Sequence, residues 1–296
     1  MLSSRVIGVL LAALLTGEAL HAALGLQFRT TAESVEVPVV VLHKRQPVPN
    51  LTAADFTVLE DGQRVQVTDV STDGRPLDIT LLQDVSESTA LPWIQSQSGL
   101  LAAAEGVGRL LHPDDTVRFY RFAERVERVG RGSPSPIIAG GQTAIFDAIL
   151  QTLLQKTGSS RRLLIVLTDG LDTASSVPVE ITRSVAARSE AVVHVVVLSL
   201  QQGHWYFGRF GAGWSSADGF FADLRGVAVE SGGRFFDVDT PNGFLPAVAE
   251  LLEQERTRYV VRYTPTALSL GWRKLTVSTT NRQHQIRHRP GYWRSR

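Results

Sequence analysis

The chain has 296 residues, a formal net charge of +1 at pH 7 and no cysteine. The near-zero charge gives no global attraction to nucleic acid or to an anionic membrane surface, and neither is expected as a partner. The absence of cysteine excludes disulfides, a catalytic thiol and a lipid-modified cysteine, and it suits an oxidising compartment. The length allows one large domain or two smaller ones.

The first 23 residues have the pattern of a secretory signal peptide. Arg5 supplies the positive charge, residues 6–15 form a short apolar run, and small residues follow up to Ala22 and Ala23. The run is shorter than a normal transmembrane span, and an uncleaved anchor is the alternative. We therefore expect cleavage near Ala22/Ala23, a secreted or periplasmic protein, and no membrane span in the mature chain.

Residues 24–74 have the composition of β-strands and turns. Pro38 predicts that its strand lies at a sheet edge or at a bulge. Asp61-Gly62 predicts a hairpin with a loop of about three to five residues. Thr52 is expected to cap a single helical turn. The strands predicted here cover residues 26–30, 34–42, 56–60 and 65–70.

Residues 75–257 alternate between strand-like and helix-like segments. This alternation predicts a doubly wound α/β fold, with a mostly parallel sheet and helices on both faces. Residues 116–122 and 125–129 are expected to form a hairpin at one edge. The other predicted strands cover residues 77–83, 163–168, 191–200 and 234–238, and the predicted helices cover residues 92–111, 143–156, 178–189, 218–231 and 243–256.

Hard oxygen donors accompany two of these apolar strands. Asp84, Ser86 and Ser88 follow the strand at 77–83, Asp169 ends the run at 163–168, and Thr143 begins a predicted helix. Two carboxylates and three hydroxyls are the kind of ligand that Mg²⁺ prefers. The chain has no cluster of Cys and His for a soft or tetrahedral metal site. The alternative is that the serines are helix N-caps and Asp169 is a turn residue.

This set of residues resembles the metal-ion-dependent adhesion site of the von Willebrand factor A domain. The family pattern is Asp-x-Ser-x-Ser, then a distant Thr and a distant Asp. The resemblance implies that Ser86 and Ser88 ligate a divalent cation directly, that Thr143 does so directly or through water, and that Asp84 and Asp169 act partly through water. Mg²⁺ is the expected cation, with Mn²⁺ or Ca²⁺ as alternatives.

The same resemblance implies a protein partner whose Asp or Glu carboxylate completes the coordination of the cation. One residue departs from the pattern, because Glu87 stands where the family often has Gly. Glu87 would add negative charge beside the metal or restrict the approach of a ligand. We therefore include Glu87 among the residues expected to influence partner binding.

The flanking segments resemble the secreted bacterial von Willebrand factor A-related proteins that are abundant in acidobacteria. The matching stretches are residues 37–41, 51–56, 60–62 and 289–293. That family is defined by sequence and implies no established biochemical activity.

Residues 201–217 combine aromatic side chains with glycines and have no regular period. A loop of this length inside a compact domain is usually functional or disordered. It leaves the carboxyl end of a strand, which is where open α/β sheets bind ligands. Its aromatic residues are expected to form a partner-binding patch, although a loop folded back onto its own domain is the alternative. They are Trp205, Tyr206, Phe207, Phe210 and Trp214.

Three further strands are predicted in residues 258–296, at 258–263, 273–278 and 284–288. Neither this segment nor residues 24–74 has enough strands for a module of its own. We expect the two segments to pair into one β-sandwich-like module, with the domain at 75–257 inserted between them. The arginines near the carboxyl terminus are expected to be solvated; they are Arg287, Arg289, Arg294 and Arg296.

The sequence lacks the motifs of common hydrolases. It has no Gly-x-Ser-x-Gly elbow and no phosphate-binding glycine loop with Lys. Phosphatases that use an Asp nucleophile place a second Asp two residues later, where this chain has Ser86. We expect a secreted, metal-dependent protein-binding or adhesion module that is not an enzyme. The alternatives are a structural or assembly module with a fold-stabilising metal, and a metal-dependent hydrolase.

Overall fold

The structure is a computed structural model that describes residues 34–87, 106–130, 140–155, 161–198, 221–265 and 269–295. These residues belong to one structural unit, Ser34–Arg296. Several predicted features lie outside the described residues: the signal peptide predicted at 1–23, the strand predicted at 26–30, most of the helix predicted at 92–111 and the aromatic loop predicted at 201–217. Within the described ranges, no helix is both long and apolar enough to cross a membrane.

The described residues form fifteen strands, four helices and two 3-10 turns, besides a helical end at residues 106–110. The strands are β1 (Val35–His43), β2 (Gln46–Pro47), β3 (Phe56–Glu60), β4 (Gln63–Val65), β5 (Val67–Thr72), β6 (Leu77–Asp84), β7 (Thr116–Phe122), β8 (Val126–Val129), β9 (Arg161–Thr168), β10 (Val192–Leu198), β11 (Phe235–Val238), β12 (Tyr259–Tyr263), β13 (Gly271–Thr279), β14 (Gln285–His288) and β15 (Gly291–Arg294). The helices are α1 (Ile145–Leu153), α2 (Val179–Arg188), α3 (Ala222–Glu230) and α4 (Phe244–Arg256), and the 3-10 turns are Ala53–Asp55 and Pro241–Gly243.

The central sheet of the described structure has six strands in the order β11-β10-β9-β6-β7-β8. The pairs from β11 to β7 are parallel, and β8 is antiparallel to β7 because the two form the predicted edge hairpin. Strands β6, β9 and β10 are buried along almost their whole length. Their uninterrupted apolar runs are typical of parallel strands that are covered on both faces.

Helices cover both faces of this sheet because successive side chains of a strand point to opposite faces. Leu81 lies in one core with Phe244 and Leu251 of α4. Its neighbour Leu82 lies in a second core with Ile149 of α1 and Val227 of α3. The predicted α/β class is therefore confirmed, with a sheet that is mixed at its β8 edge.

The flanking strands form two further sheets whose members come from both ends of the described chain. One has the order β14-β1-β12-β5 with β2 paired to β1, and the other has the order β15-β13-β3-β4. Strand β1 pairs with β12 and β14, and β3 pairs with β13, so early and late strands are hydrogen-bonded to each other in both sheets. Val39, Val58, Val261 and Val277 share the core that the two sheets enclose. The domain boundaries at 74/75 and 257/258 stay a prediction.

Two details of these sheets differ from the sequence-based expectation. Pro38 does not mark an edge strand, because β1 lies between β12 and β14. It pairs with Val260 of β12, whereas the pairing with β14 begins at Val39, so its missing N–H falls where β14 is not paired. The Asp61-Gly62 hairpin loop has two residues, not three to five, and φ is +50° at Asp61 and +83° at Gly62. Positive φ at both positions is the type I′ geometry that matches the twist of paired strands.

Arg287, Arg289 and Arg294 are not solvated as predicted, whereas Arg296 lies outside the described residues. Arg287 donates to Glu255 of α4 over 2.7 Å, and Arg289 donates to the carbonyl oxygen of Ala191 over 2.9 Å. Arg294 is buried. Residues 291–294, where no strand is predicted, form β15. The contacts of Arg287 and Arg289 therefore fasten the late strands to the α/β part.

A buried ionic cluster lies at the same junction, at the amino-terminal end of the central sheet. Asp73, just before β6, accepts hydrogen bonds from Arg258 over 2.7 Å and from Arg75 over 2.9 Å. Arg161 at the start of β9 lies 3.3 Å from Asp73 and donates to the backbone carbonyls of Asp73 and Glu255. These contacts neutralise the acids that the junction buries.

Candidate metal centre

Asp84 and Asp169 lie at the same edge of the central sheet. Strands β6 and β9 are parallel neighbours, and their register places Gln83 opposite Leu167. Asp84 is the last residue of β6, and Asp169 follows the last residue of β9. The edge is therefore the carboxyl-terminal one, where open α/β sheets bind ligands.

Neutral donors surround the buried carboxylate of Asp84. Its Oδ1 accepts hydrogen bonds from the backbone N–H of Ser86 (2.9 Å) and from the Ser86 hydroxyl (2.6 Å), and its Oδ2 accepts one from the Thr168 hydroxyl (2.6 Å). Burial, followed by the negative charge of Asp169, raises the pKa of Asp84 to about 7. The carboxylate is thus held rigidly in surroundings that disfavour its negative charge.

Backbone contacts hold the loop after β6 against its neighbours. The Val85 N–H donates to the carbonyl of Phe122 in β7 (2.8 Å), and the Glu87 N–H donates to the carbonyl of Gly141 (3.1 Å). Gly140 donates in return to the carbonyl of Val85 (3.1 Å). Ser86 is fully buried between these contacts. The segment that leads to Thr143 therefore lies beside the segment that carries Ser86.

Thr143 is buried and is held by the loop that follows β9. Its backbone N–H donates to the Thr173 hydroxyl over 2.9 Å. Its carbonyl accepts from the N–H groups of Thr173 (2.8 Å) and Ala174 (2.9 Å). The segments that carry Thr143 and Asp169 are thereby joined.

The turn at Asp169 has its own local constraints. One Asp169 carboxylate oxygen accepts from the Leu171 N–H over 3.1 Å, and the Thr168 hydroxyl accepts from the Gly170 N–H over 2.9 Å. Gly170 has φ +88°, and a Cβ at this position would lie 2.4 Å from the ring of Phe221. Only glycine fits this backbone conformation and this space.

The structure describes four of the five predicted ligands, and their chemistry fits a hard cation. Asp84, Ser86, Thr143 and Asp169 offer carboxylate and hydroxyl oxygens, which are the ligands of Mg²⁺. Within the described ranges, no group of three or more His, Cys, Asp or Glu side chains is placed to hold a metal. Hydroxyl groups would therefore have to complete the ligand set.

The remaining candidates have different positions. Ser88 and the aromatic residues at 205–214 lie outside the described residues. Glu87 is exposed beside buried Ser86. Thr168, whose hydroxyl donates to Asp84, is not among the predicted site residues, because nothing in its local sequence identifies this partner. The hydroxyl and carboxylate groups at 172–175 are not predicted either, for the same reason.

No family model matches the chain, and no curated protein matches it. Similar solved structures include an aerotolerance-related membrane protein from Bacteroides fragilis, with 18% identity, a TM-score of 0.44, and coverage of 60% of this chain and 99% of that chain. A von Willebrand factor type A protein from Catenulispora acidiphila has 9% identity and a TM-score of 0.45, over 91% of this chain and 76% of that chain. Proximal thread matrix protein 1 from the mussel byssus, solved with a zinc-occupied adhesion motif, has 18% identity and a TM-score of 0.43, over 66% of this chain and 49% of that chain.

The site residues and the sheet around them have one common arrangement. A mostly parallel sheet carries Asp84 and Asp169 at its carboxyl edge, with Ser86 and Thr143 held beside them. This arrangement agrees with the resemblance of the sequence to the von Willebrand factor A domain.

Proposed function

We propose that this protein is a secreted or periplasmic binding module that recognises an acidic group of a protein partner through a divalent cation. The observation that carries the proposal is the state of Asp84. Its carboxylate is buried, its hydrogen bonds come from neutral groups, and it lies beside a second carboxylate, Asp169. Such an arrangement is favourable when a cation from solution supplies the missing positive charge.

Asp84, Ser86, Thr143 and Asp169, together with Ser88, would hold the cation. Mg²⁺ suits this set because it takes oxygen ligands and is commonly bound by one or two carboxylates. When bound, the cation supplies an electrophilic position that can accept a carboxylate oxygen from the partner. Since several ligands are neutral hydroxyls, they leave much of the positive charge available to that oxygen.

Glu87 would restrict which acidic groups of a partner can approach the cation. Its side chain is exposed next to Ser86, and its negative charge would repel a second carboxylate over a short distance. We propose that Glu87 favours a partner with a single acidic group flanked by neutral or basic residues. The aromatic residues at 205–214 are proposed to add apolar contacts around that group.

A peptide-binding experiment tests the acidic-group part of the proposal. The probe is a panel of immobilised peptides that carry one Glu among neutral residues, each with a matched peptide in which Gln replaces Glu. We expect binding to Glu peptides that requires Mg²⁺ or Mn²⁺, disappears in EDTA and disappears in Asp84→Ala. Equal binding to the Gln peptides, or binding that EDTA leaves unchanged, would contradict the proposal.

The same experiment separates the proposed function from its alternatives. A metal that only stabilises the fold would raise the melting temperature without any cation-dependent peptide binding. A metal-dependent hydrolase would turn over a generic substrate such as p-nitrophenyl phosphate, whereas we propose that the pure protein does not.

A further inference from the structure

Helix α1 begins two residues after Thr143 and does not cap itself. Its N-cap residue is Ala144, which makes no side-chain capping hydrogen bond. The first N–H groups of a helix need partners from outside the helix. Two of them come from the loop after β9, because Ile145 N–H donates to Asp172 Oδ1 (2.9 Å) and Phe146 N–H donates to Ser175 Oγ (3.0 Å).

The contacts between α1 and this loop run in both directions. Thr173 holds both the N–H and the carbonyl of Thr143. In return, the carboxylate of Asp147 in α1 accepts from the N–H groups of Ser176 and Val177, each over 2.9 Å. The loop that begins at Asp169 and the helix that follows Thr143 are thus joined at several points.

The side chains that make these contacts also fix one another. The Ser175 hydroxyl donates to Asp172 Oδ1 over 2.6 Å, so its lone pairs are left to accept from Phe146. Asp172 Oδ1 therefore accepts from both Ser175 and Ile145. We call the side chains of Asp172, Thr173 and Ser175 the 172–175 clamp.

We infer that the 172–175 clamp is a positioning device that sets the cation affinity of the candidate metal centre by holding Thr143 at a fixed position relative to Asp169. This inference rests on the proposed function. Groups that orient metal ligands without touching the metal commonly change affinity about 10–100-fold when they are removed. Here the clamp joins two ligand-bearing segments before the cation arrives, so that binding needs less reorganisation.

Neighbouring serines offer a matched pair of variants. Ser175→Ala removes a hydroxyl that both accepts from α1 and donates to Asp172. Ser176→Ala keeps the contact that the structure shows for this exposed residue, because that contact uses its backbone N–H. Titration of the full chain with Mn²⁺ by calorimetry should give a dissociation constant about tenfold higher for Ser175→Ala and an unchanged one for Ser176→Ala.

Two further measurements separate positioning from simple capping. Asp172→Ala should weaken Mn²⁺ binding, and Asp172→Asn should restore most of it, because the amide oxygen can still accept from Ile145. In a Thr143→Ala background, Ser175→Ala should cause no further loss of affinity, because the clamp acts through Thr143. A purely structural cap would lower stability to the same extent in both backgrounds and leave the dissociation constant unchanged.

The outcomes distinguish this inference from the proposed function. If the wild-type protein binds Mn²⁺ and Ser175→Ala binds it equally well, the inference about the clamp is overturned, whereas the proposed metal centre is supported. If Ser175→Ala weakens binding equally with and without Thr143, the clamp does not act through Thr143 and the inference is again overturned. If the wild-type protein binds neither Mn²⁺ nor Mg²⁺, both proposals fall together.

Discussion

Two buried acids at opposite ends of the central sheet, Asp73 and Asp84, have opposite surroundings. Burial alone would raise the pKa of Asp73, but hydrogen bonds from Arg75 and the charges of Arg258 and Arg161 hold it well below its usual range. Burial and Asp169 raise the pKa of Asp84 to about 7. The strongest influences of described residues on the pKa of Asp84 come from the negative charge of Asp169 and from neutral hydrogen-bond donors of Ser86 and Thr168.

The difference indicates what each acid does. At the amino-terminal end, the arginines of the chain balance the charge, and the ion pairs join the β-sheets to the α/β part. At the carboxyl-terminal end, the chain supplies oxygen donors, and we propose that a cation from solution balances the charge. We propose that the amino-terminal end stabilises the fold and that the carboxyl-terminal end gives up some stability for cation binding.

The largest loss of stability is expected from removing a positively charged side chain, Arg258, at the junction. Arg258 is buried, donates to Asp73 over 2.7 Å and lies 3.3 Å from Glu255. Arg258→Met should lower the free energy of unfolding by about 3–5 kcal/mol, because it removes one of the counter-ions that two buried acids, Asp73 and Glu255, share. Urea unfolding measures the change.

The matched control for that variant is an exposed ion pair. Arg45 pairs with Glu250 over 2.6 Å, but 67% of its side chain is exposed. Arg45→Ala should cost less than about 1 kcal/mol. Equal losses in Arg258→Met and Arg45→Ala would mean that the junction pairs do not stabilise the protein as described.

Acid should weaken the same junction. The folded-state pKa values of Asp73 and Glu255 lie below their ordinary values of 3.8 and 4.5. Burial opposes this, but arginines outweigh it for Asp73, and His194, Arg287 and Arg258 outweigh it for Glu255. A lowered carboxyl pKa contributes stability that is complete above the unfolded value and is lost as pH falls towards the folded value.

The melting temperature should therefore fall as pH is lowered from about 5 to about 3. Arg258→Met should show a shallower fall, since part of the charge pairing is already gone. A wild-type melting temperature that is the same at both ends of this range would contradict the assignment of the junction.

A smaller effect of opposite sign is expected at the other end of the sheet. In EDTA at pH 8, Asp84→Asn should raise the free energy of unfolding by about 0.5–2 kcal/mol, because it removes a buried charge beside Asp169. Asp78, at the start of the same strand, is the control, because it accepts from Arg118 over 2.6 Å and from Thr116 over 3.0 Å. Asp78→Asn should destabilise the protein. Urea unfolding of both variants checks the prediction, and a lower free energy of unfolding for Asp84→Asn would contradict it.

Structural features that depend on short stretches of sequence could be predicted from the sequence alone. The apolar runs of β6, β9 and β10 predict buried parallel strands, which the structure confirms. The oxygen donors that accompany β6 and β9 predict a metal site, which stays a prediction. Strands left without partners at both ends of the chain predict that β1 and β12 belong together, and the structure pairs them.

The features that depend on distant partners could not be read. Asp73 and Arg258 are 185 residues apart, and neither has a local signal that names the other. Arg287 lies near the carboxyl terminus in sequence, and only the fold brings it beside Glu255. Thr168 and Ser175 resemble ordinary strand-end and loop residues until the fold brings them to Asp84 and α1.

The most direct test of the metal centre is thermal melting of the purified protein in EDTA, Mg²⁺, Mn²⁺ and Ca²⁺, with Asp84→Ala alongside. A ligand that binds only the folded state stabilises it by about 2.7 kcal/mol at 100 times its dissociation constant. We predict that Mg²⁺ or Mn²⁺ raises the melting temperature of the wild-type protein and leaves that of Asp84→Ala unchanged. No shift in the wild-type protein, or an equal shift in the variant, would contradict a cation site at Asp84.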